Sequence, residues 1–414
     1  MKNITVISSY PAKNSVHGKT TVGVASYSKN TLNALKSAAK ETISITVLAE
    51  KLNREHNYTH NSIRVKRVWS RNTFSIFPNL LKYLWKNKNA STIVIEFELA
   101  MFGELLYLIP FPLFLLALRL MQKKIVIVLH QVLPEIESIG PHINLSTHSF
   151  KGQSVNISLR LFYATLLLLS NKIIVFEPIL KEKLSRFGGI KNVSVIPHGV
   201  ENFLNKPAKR VARKNLKLKD EFVVVVFGYL AWYKGTDWIL NAFQTIKKQK
   251  KNSKVRLILA GGANPNHEEK EYYARYIAGL TREVQNLDIT ITGFIPEEKI
   301  ADYYQAADAI VLPYRAHMSS SGPLALAFSF KKPFLISFAL KEVLNQEDIA
   351  EILKKLKIKP ETLIFKEVED FSEKLNNIKK NQKLRQKLSL LSKEIAIKRN
   401  WDVIGKKYYE ELYS

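Results

Sequence analysis

The chain contains no cysteine, which excludes disulfides, cysteine-ligated zinc and a thiol nucleophile, and fits a reducing compartment. It also lacks a cleavable apolar segment at its start, because Lys2 is followed directly by a short strand-like run, Ile4 to Ser8. The most apolar stretch, Leu99 to Met121, has an uncharged core only from Leu105 to Leu118 and carries two prolines. That is short of the roughly 20 residues a spanning helix needs. The expectation is a cytoplasmic protein, peripheral at most on the inner face of the membrane. For the stretch itself, a helix packed on a sheet is favoured over an apolar face dipping into lipid beside Arg119, Lys123 and Lys124. A second apolar helix, Leu159 to Leu169, could extend such a face.

Acidic residues are scarce relative to basic ones: 36 Asp and Glu face 63 Lys and Arg, giving a formal charge of +27. Nucleic acid, an anionic membrane surface and a lysine-rich background compete to explain this. Zinc-finger spacing, an RNP-like aromatic pattern and a heptad dimer with a basic arm are all missing, so a specific nucleic-acid role is the weakest of the three.

What is present is a globular composition, 46% hydrophobic and 24% charged over 414 residues, enough for two domains. Strand-like runs alternate with helical periodicity. In the first half, Ile4 to Ser8 leads into a polar segment, Ser9 to Val22, and a helix after Gly23. Ile43 to Leu48, Val65 to Trp69, Thr92 to Glu98, Ile125 to Leu129, Lys172 to Phe176 and Val193 to Ile196 read as strands. From Val200 to Asp220 the sequence turns basic and loses apolar periodicity, marking a boundary. The second half restarts with Phe222 to Phe227, Val255 to Ala260, Ile289 to Thr292, Ala309 to Pro313 and Pro333 to Ser337. The expected division is 1–205, 206–385 and a helical 386–414, an α/β protein with two Rossmann-like domains facing across a cleft.

Ligands in such sheets bind beyond the carboxyl ends of strands. His130 ends the Ile125 to Leu129 strand and faces that crevice. Lys234 stands in the turn after Phe227 and Gly228, just ahead of a helix, where an ammonium can meet a phosphate. Ser319, Ser320, Ser321 and Gly322 precede a helix entered through Pro323, whose N-terminus offers N–H groups and the positive end of a dipole. Gly23 lies between a strand and a helix but without dinucleotide-fingerprint spacing.

The stretches IVIVLH at 125–130, VSVIPHGV at 193–200, VVFGYLAWYKGTDWILNAF at 225–243, VRLILAGG at 255–262, ITGFIPEEKIADYYQAADAIVLPY at 291–314 and SSSGPLALAFSFKKPFLIS at 319–337 carry a further signal. In this order the chain resembles the GT-B glycosyltransferases, and within them retaining family four. It looks nearest to a mannosyltransferase-like branch, in which IEFELAMFGEL at 95–105 also has a counterpart. The resemblance implies a GT-B fold with C-terminal helices returning toward the first domain. It also implies transfer of a hexose, mannose or glucose, from GDP-mannose or UDP-glucose to a glycan or lipid-linked glycan, with retention and without a metal or other cofactor. Gly23 would sit under the donor pyrophosphate and His130 against the transferred sugar. Gly228 and Lys234 would bind the donor, Lys234 through its phosphates, and His130 and Lys234 would be the catalytic pair. Ser320, Ser321, Gly322 and the amides after them, Leu324 included, would hold the distal phosphate. Two departures stand out. The arginine usual shortly before the phosphate lysine is replaced by Tyr229 and Leu230, and Met318 and Leu326 occupy the positions of paired glutamates. The alternatives are a GT-B sugar-nucleotide epimerase or hydrolase, and a non-catalytic glycan- or membrane-binding member.

Overall fold

The computed structural model describes residues 2–13, 23–40, 42–52, 57–138, 146, 148–202, 206–250 less its last residue, 254–264, 270–283 and 288–413. Most of the polar segment expected at Ser9 to Val22 lies outside the described residues.

Two parallel sheets organise the chain. The first contains β1 (Lys2–Ile7), β2 (Ile43–Glu50), β3 (Tyr58–His60), β4 (Ile63–Trp69), β5 (Thr92–Phe97), β6 (Lys124–Leu129), β7 (Lys172–Val175) and β8 (Val193–Val195). Their order is β3-β4-β2-β1-β5-β6-β7-β8, and only the short edge pair β3–β4 is antiparallel. Alternate residues of the central strands enter separate cores: Ile93, Ile95, Ile125 and Ile127 on one face, Val94, Val126 and Val128 on the other. A sheet covered on both faces needs near-continuous apolar strands, which is how TIVIEF and KIVIVL read.

The second sheet contains β9 (Phe222–Phe227), β10 (Val255–Ala260), β11 (Ile289–Ile291), β12 (Ala309–Leu312), β13 (Phe334–Ser337) and β14 (Ile364–Phe365). Its order, β11-β10-β9-β12-β13-β14, is the doubly wound arrangement. Sequence periodicity located the other twelve strands but passed over β3, β14 and the helix Ile76–Lys86. The first two are only three and two residues long, too short to show alternation.

The stretch expected to pack as a helix resolves into a 3-10 turn, Leu105–Leu108, and a helix, Phe111–Leu120, with Phe111, Phe114, Leu115 and Leu118 turned into the core. The chain crosses between sheets twice, and the crossings lie side by side: Val200 N–H donates to the Arg399 carbonyl at 2.7 Å and Val200 bridges Asn400. Helices Val368–Lys380 and Gln382–Lys398 stay on the second core. The last helix, Trp401–Tyr413, returns to the first sheet and packs along the helix Gly23–Ala38.

That return depends on Gly405, where a Cβ would stand 2.4 Å from the Ala34 carbonyl oxygen. Gly405→Val is therefore expected to destabilise the protein by about 1–3 kcal/mol, read from the urea unfolding midpoint. An unchanged midpoint would mean that the two helices do not meet this closely.

Candidate active site

In open parallel sheets the ligand crevice opens where the strand order reverses, beyond the carboxyl ends. The reversal falls between β9 and β12 in the second sheet and between β1 and β5 in the first. The expected residues collect around these two points.

Gly228 follows β9 with φ +115°, and a Cβ there would lie 2.9 Å from Lys234 Nζ and 3.6 Å from Pro323 Cγ. The ammonium thus rests between the end of β9 and the start of the helix Gly322–Ser329. Only a residue without a side chain leaves it that room. Lys234 ends a 3-10 turn, Trp232–Lys234, closed by Gly235 at φ +69°. The turn is gripped by Arg315, which comes off the end of β12. Arg315 N–H donates to the Tyr233 carbonyl at 2.8 Å, its guanidinium donates to the Trp232 carbonyl at 2.8 Å and to both Asp237 oxygens at 2.6 and 2.7 Å, and it lies over the Trp232 ring. A bidentate guanidinium pair of this kind adds orientation as well as energy. The Lys234 ammonium has no ion pair or hydrogen bond among the described residues, and burial pushes its pKa down to about 8.

At the helix entrance Ser321 is the N-cap. Its Oγ accepts from the Leu324 amide at 3.3 Å and meets the Tyr314 hydroxyl at 3.2 Å. The Leu324 amide, expected to face an anion, also donates to the Ser321 carbonyl, and the residue is buried. To bind a phosphate through that amide, the Ser321 side chain must rotate away. Ser320 faces a small internal space between the sheets, shared with Glu177, His198, Gln346 and Arg399.

His130 follows β6, with Nε2 2.8 Å from Glu96 Oε2 and its ring edge-on to Tyr27 and Phe176 at 4.9 and 5.0 Å. Gly23 opens the helix that presents Tyr27 one turn later, so it stands above this contact and not in it. The link between the halves follows immediately. Gln131 bridges Ser319, and Val132 N–H donates to the Met318 carbonyl at 3.1 Å. Lys183 donates to the His317 carbonyl, and His317 Nε2 lies 2.8 Å from Glu177 Oε2 without hydrogen-bond alignment. His130 and the serine cluster are thereby brought to one interdomain seam. Beside it His198 is held neutral, because burial lowers its pKa to about 4. Its Nδ1 lies 2.7 Å from the Gly199 carbonyl.

Met318 packs against the first core and Leu326 against the second, so neither position offers a carboxylate to the cleft. A carboxylate comes instead from a residue that sequence reasoning passed over. Glu98 follows β5 next to His130, since Phe97 pairs with Leu129 and His130 N–H donates to the Phe97 carbonyl. Burial raises the Glu98 pKa while His130 and Arg71 pull it back, and its charge reaches Tyr233 in the turn of Lys234. Arg71 joins Glu50 at 3.3 Å and Ser9 Oγ at 3.0 Å. Together these line the first-sheet wall. The only sequence signal for Glu98 is its place after a buried strand in IEFEL.

Comparison with known proteins agrees with the fold. Residues 221–381 match the family described as Glycosyl transferases group 1. A mannosylfructose-phosphate synthase of Agrobacterium fabrum is 26% identical over 132 residues, which are 30% of this chain and 28% of that protein. The chain thus spans under a third of that relative in the match. Among solved structures, sucrose-phosphate synthase from Thermosynechococcus elongatus superposes with a TM-score of 0.73 at 18% identity, covering 100% of this chain and 99% of the other. Anabaena HepE in complex with UDP-glucose gives 0.67 at 15%, with the same coverage. A UDP-forming trehalose-phosphate synthase from Burkholderia xenovorans gives 0.69 at 12%, again with the same coverage. The chain has the GT-B fold.

Arg315→Ala frees the turn that carries Lys234. It is expected to weaken inorganic pyrophosphate binding by about tenfold or more, given how steeply recognition falls with misplacement, as measured by calorimetric titration. Unchanged affinity would show that the turn needs no such grip.

Proposed function

We propose that this chain, whose second half is a glycosyl transferases group 1 domain on a GT-B fold, is a glycosyltransferase. It transfers a hexose, glucose or mannose, from UDP-glucose or GDP-mannose to a glycan or lipid-linked glycan, with retention and without a metal. The observation that carries this reading is the ammonium of Lys234, without a side-chain partner among the described residues, packed at Gly228 beyond the end of β9 with Pro323 of the helix Gly322–Ser329 close by.

The chemistry follows from where charge develops. When the bond between the sugar C1 and the diphosphate oxygen breaks, negative charge accumulates on the departing phosphate. Fixed donors already aimed at that place stabilise it most, since they need no rearrangement. Lys234 is such a donor, and the amide of Leu324 at the helix N-terminus joins it once the Ser321 side chain turns away. The acceptor hydroxyl then bonds to C1 on the face the phosphate leaves, and its proton passes to a phosphate oxygen. His130, fixed by Glu96 and framed by Tyr27 and Phe176, borders the sugar. The presence of UDP or UDP-glucose in the names of two structural neighbours supports a uridine donor. The phosphate-bearing products named in the relatives support a sugar-type acceptor. A lipid-linked acceptor would bring the enzyme to a membrane surface.

A thermal-shift series with UDP-, GDP- and ADP-sugars tests the donor: at 100 times Kd the right one stabilises by about 2.7 kcal/mol. No shift with any of them would reject the reading. Lys234→Ala is expected to cut turnover by about 10²-fold or more, and wild-type-like turnover would count against the role of the lysine. The pH profile gives an independent check. The charged lysine is the form that holds a diphosphate, so kcat/KM for the donor is full below, and falls as pH rises through, about 8. Lys234→Arg should move that fall upward, because a guanidinium keeps its proton.

A further inference from the structure

From the face formed by the helices Phe111–Leu120 and Phe150–Leu169 we infer that the first domain docks on an anionic lipid surface, lying on it and not crossing it. Among the described residues, 16 large apolar side chains are exposed, and ten of them belong to the 3-10 turn Leu105–Leu108, these two helices and the one residue, Ile109, between them. They form stripes. Ile109, Leu113, Leu116 and Leu120 recur at spacings of four, three and four, one side of a helix, while Phe114, Leu115 and Leu118 fill the core on the other. Phe150, Ile157, Leu161 and Leu168 do the same over 18 residues, about 27 Å of helix. The helices lie together through contacts such as Phe111 with Phe162. Leu113 is 69% exposed, Leu120 78% and Leu168 78%, an apolar extent that ordinary monomer surfaces avoid.

Charge identifies the occupant. The neighbouring helix Ile76–Lys86 completes this side of the domain through Phe77 against Phe111 and Phe114. Across the three helices there are five basic residues, Lys82, Lys86, Arg119, Lys151 and Arg160, and no acidic one. A second copy of the chain would bring the same positive charge against this rim, at a like-charge cost. An anionic bilayer meets the rim with negative charge and the stripes with hydrocarbon. Among the described residues no helix is long and apolar enough to cross a membrane, so an in-plane mode is what remains for a lipid contact. The face also leads to the cleft: an open groove lined by Pro134, Arg160, Leu161 and Arg186 begins four residues after His130.

This inference stands apart from the proposed transfer reaction and is tested without it. Full-length protein is floated with vesicles of phosphatidylglycerol and phosphatidylcholine, or phosphatidylcholine alone, at low ionic strength and at about 1 M salt, where screening reaches about 3 Å. Binding to the anionic vesicles, reduced by salt and by omission of phosphatidylglycerol, is expected. The double variant Leu113→Glu, Leu161→Glu should lower the bound fraction by about tenfold or more. Ile397→Glu, which alters an exposed apolar residue of the second half, should leave it unchanged. Both substituted leucines are exposed, and matching circular dichroism and melting curves verify the fold of each variant. Wild-type protein that stays free of anionic vesicles, binding that survives in the double variant, or equal loss in Ile397→Glu overturns the inference. So does a dimer in sedimentation equilibrium that Leu113→Glu disperses, which would assign the face to a second copy.

Discussion

A positive charge with no counter-charge sets the terms for the rest of this molecule. Removing an ammonium from water costs free energy that a neighbouring carboxylate ordinarily offsets. Lys234 is placed against Gly228 with no such neighbour among the described residues, and burial is what moves its pKa. The nearest acid along the chain, Asp237 in the first turn of the following helix, is committed to Arg315 on both oxygens. The fold thus spends a salt bridge on holding the backbone of the turn and leaves its lysine unmatched. The helix Gly322–Ser329 adds its positive end at the same place. An arrangement of this kind is stabilised by an anion, and a diphosphate carries enough charge for both groups.

The two sheets must be registered for this to matter to a reaction. Their register is set by short contacts that are individually ordinary: the bridge of Gln131 with Ser319, the bond from Val132 to Met318, the Lys183 bond to His317, and the paired crossings at Val200 and Asn400. The crossings act as the fixed end, since Arg399 is further held by Asp348 and Gln346. The loop from Tyr314 to Ser321 acts as the far end. One loop therefore supplies Arg315 to the lysine turn, the backbone that meets the first sheet, and the serine that caps the helix. A shift in it would move all three together.

Much of this was legible in the sequence, and the reason differs by residue. Buried parallel strands are continuous apolar runs, so the places beyond them, and with them His130, Gly228 and Lys234, could be named from order alone. The serine cluster announced a helix start through ordinary capping chemistry. What could not be read were partners distant along the chain. Arg315 and Asp237 are 78 positions apart, and nothing in either segment advertises the pairing. Glu98 looked like one more charged residue after a strand until the register of β5 with β6 set it beside His130. Nor could it be read that the Leu324 amide, expected to hold the distal phosphate, is bonded to the serine that caps its own helix.

Met318, where the sequence resemblance implied one of a pair of glutamates in relatives, sits in the same seam. Its carbonyl accepts from Val132 while its side chain joins the first core, so the position contributes to joining the domains. A carboxylate there would be pressed against apolar side chains, where its charged form is disfavoured. The cleft nevertheless retains an acid, because Glu98 enters from the opposite sheet near His130 and within electrostatic reach of Tyr233. Glu98 is carried by the same domain as His130, and its distance from the imidazole is fixed by paired strands, whereas its distance from Lys234 depends on how the two sheets meet.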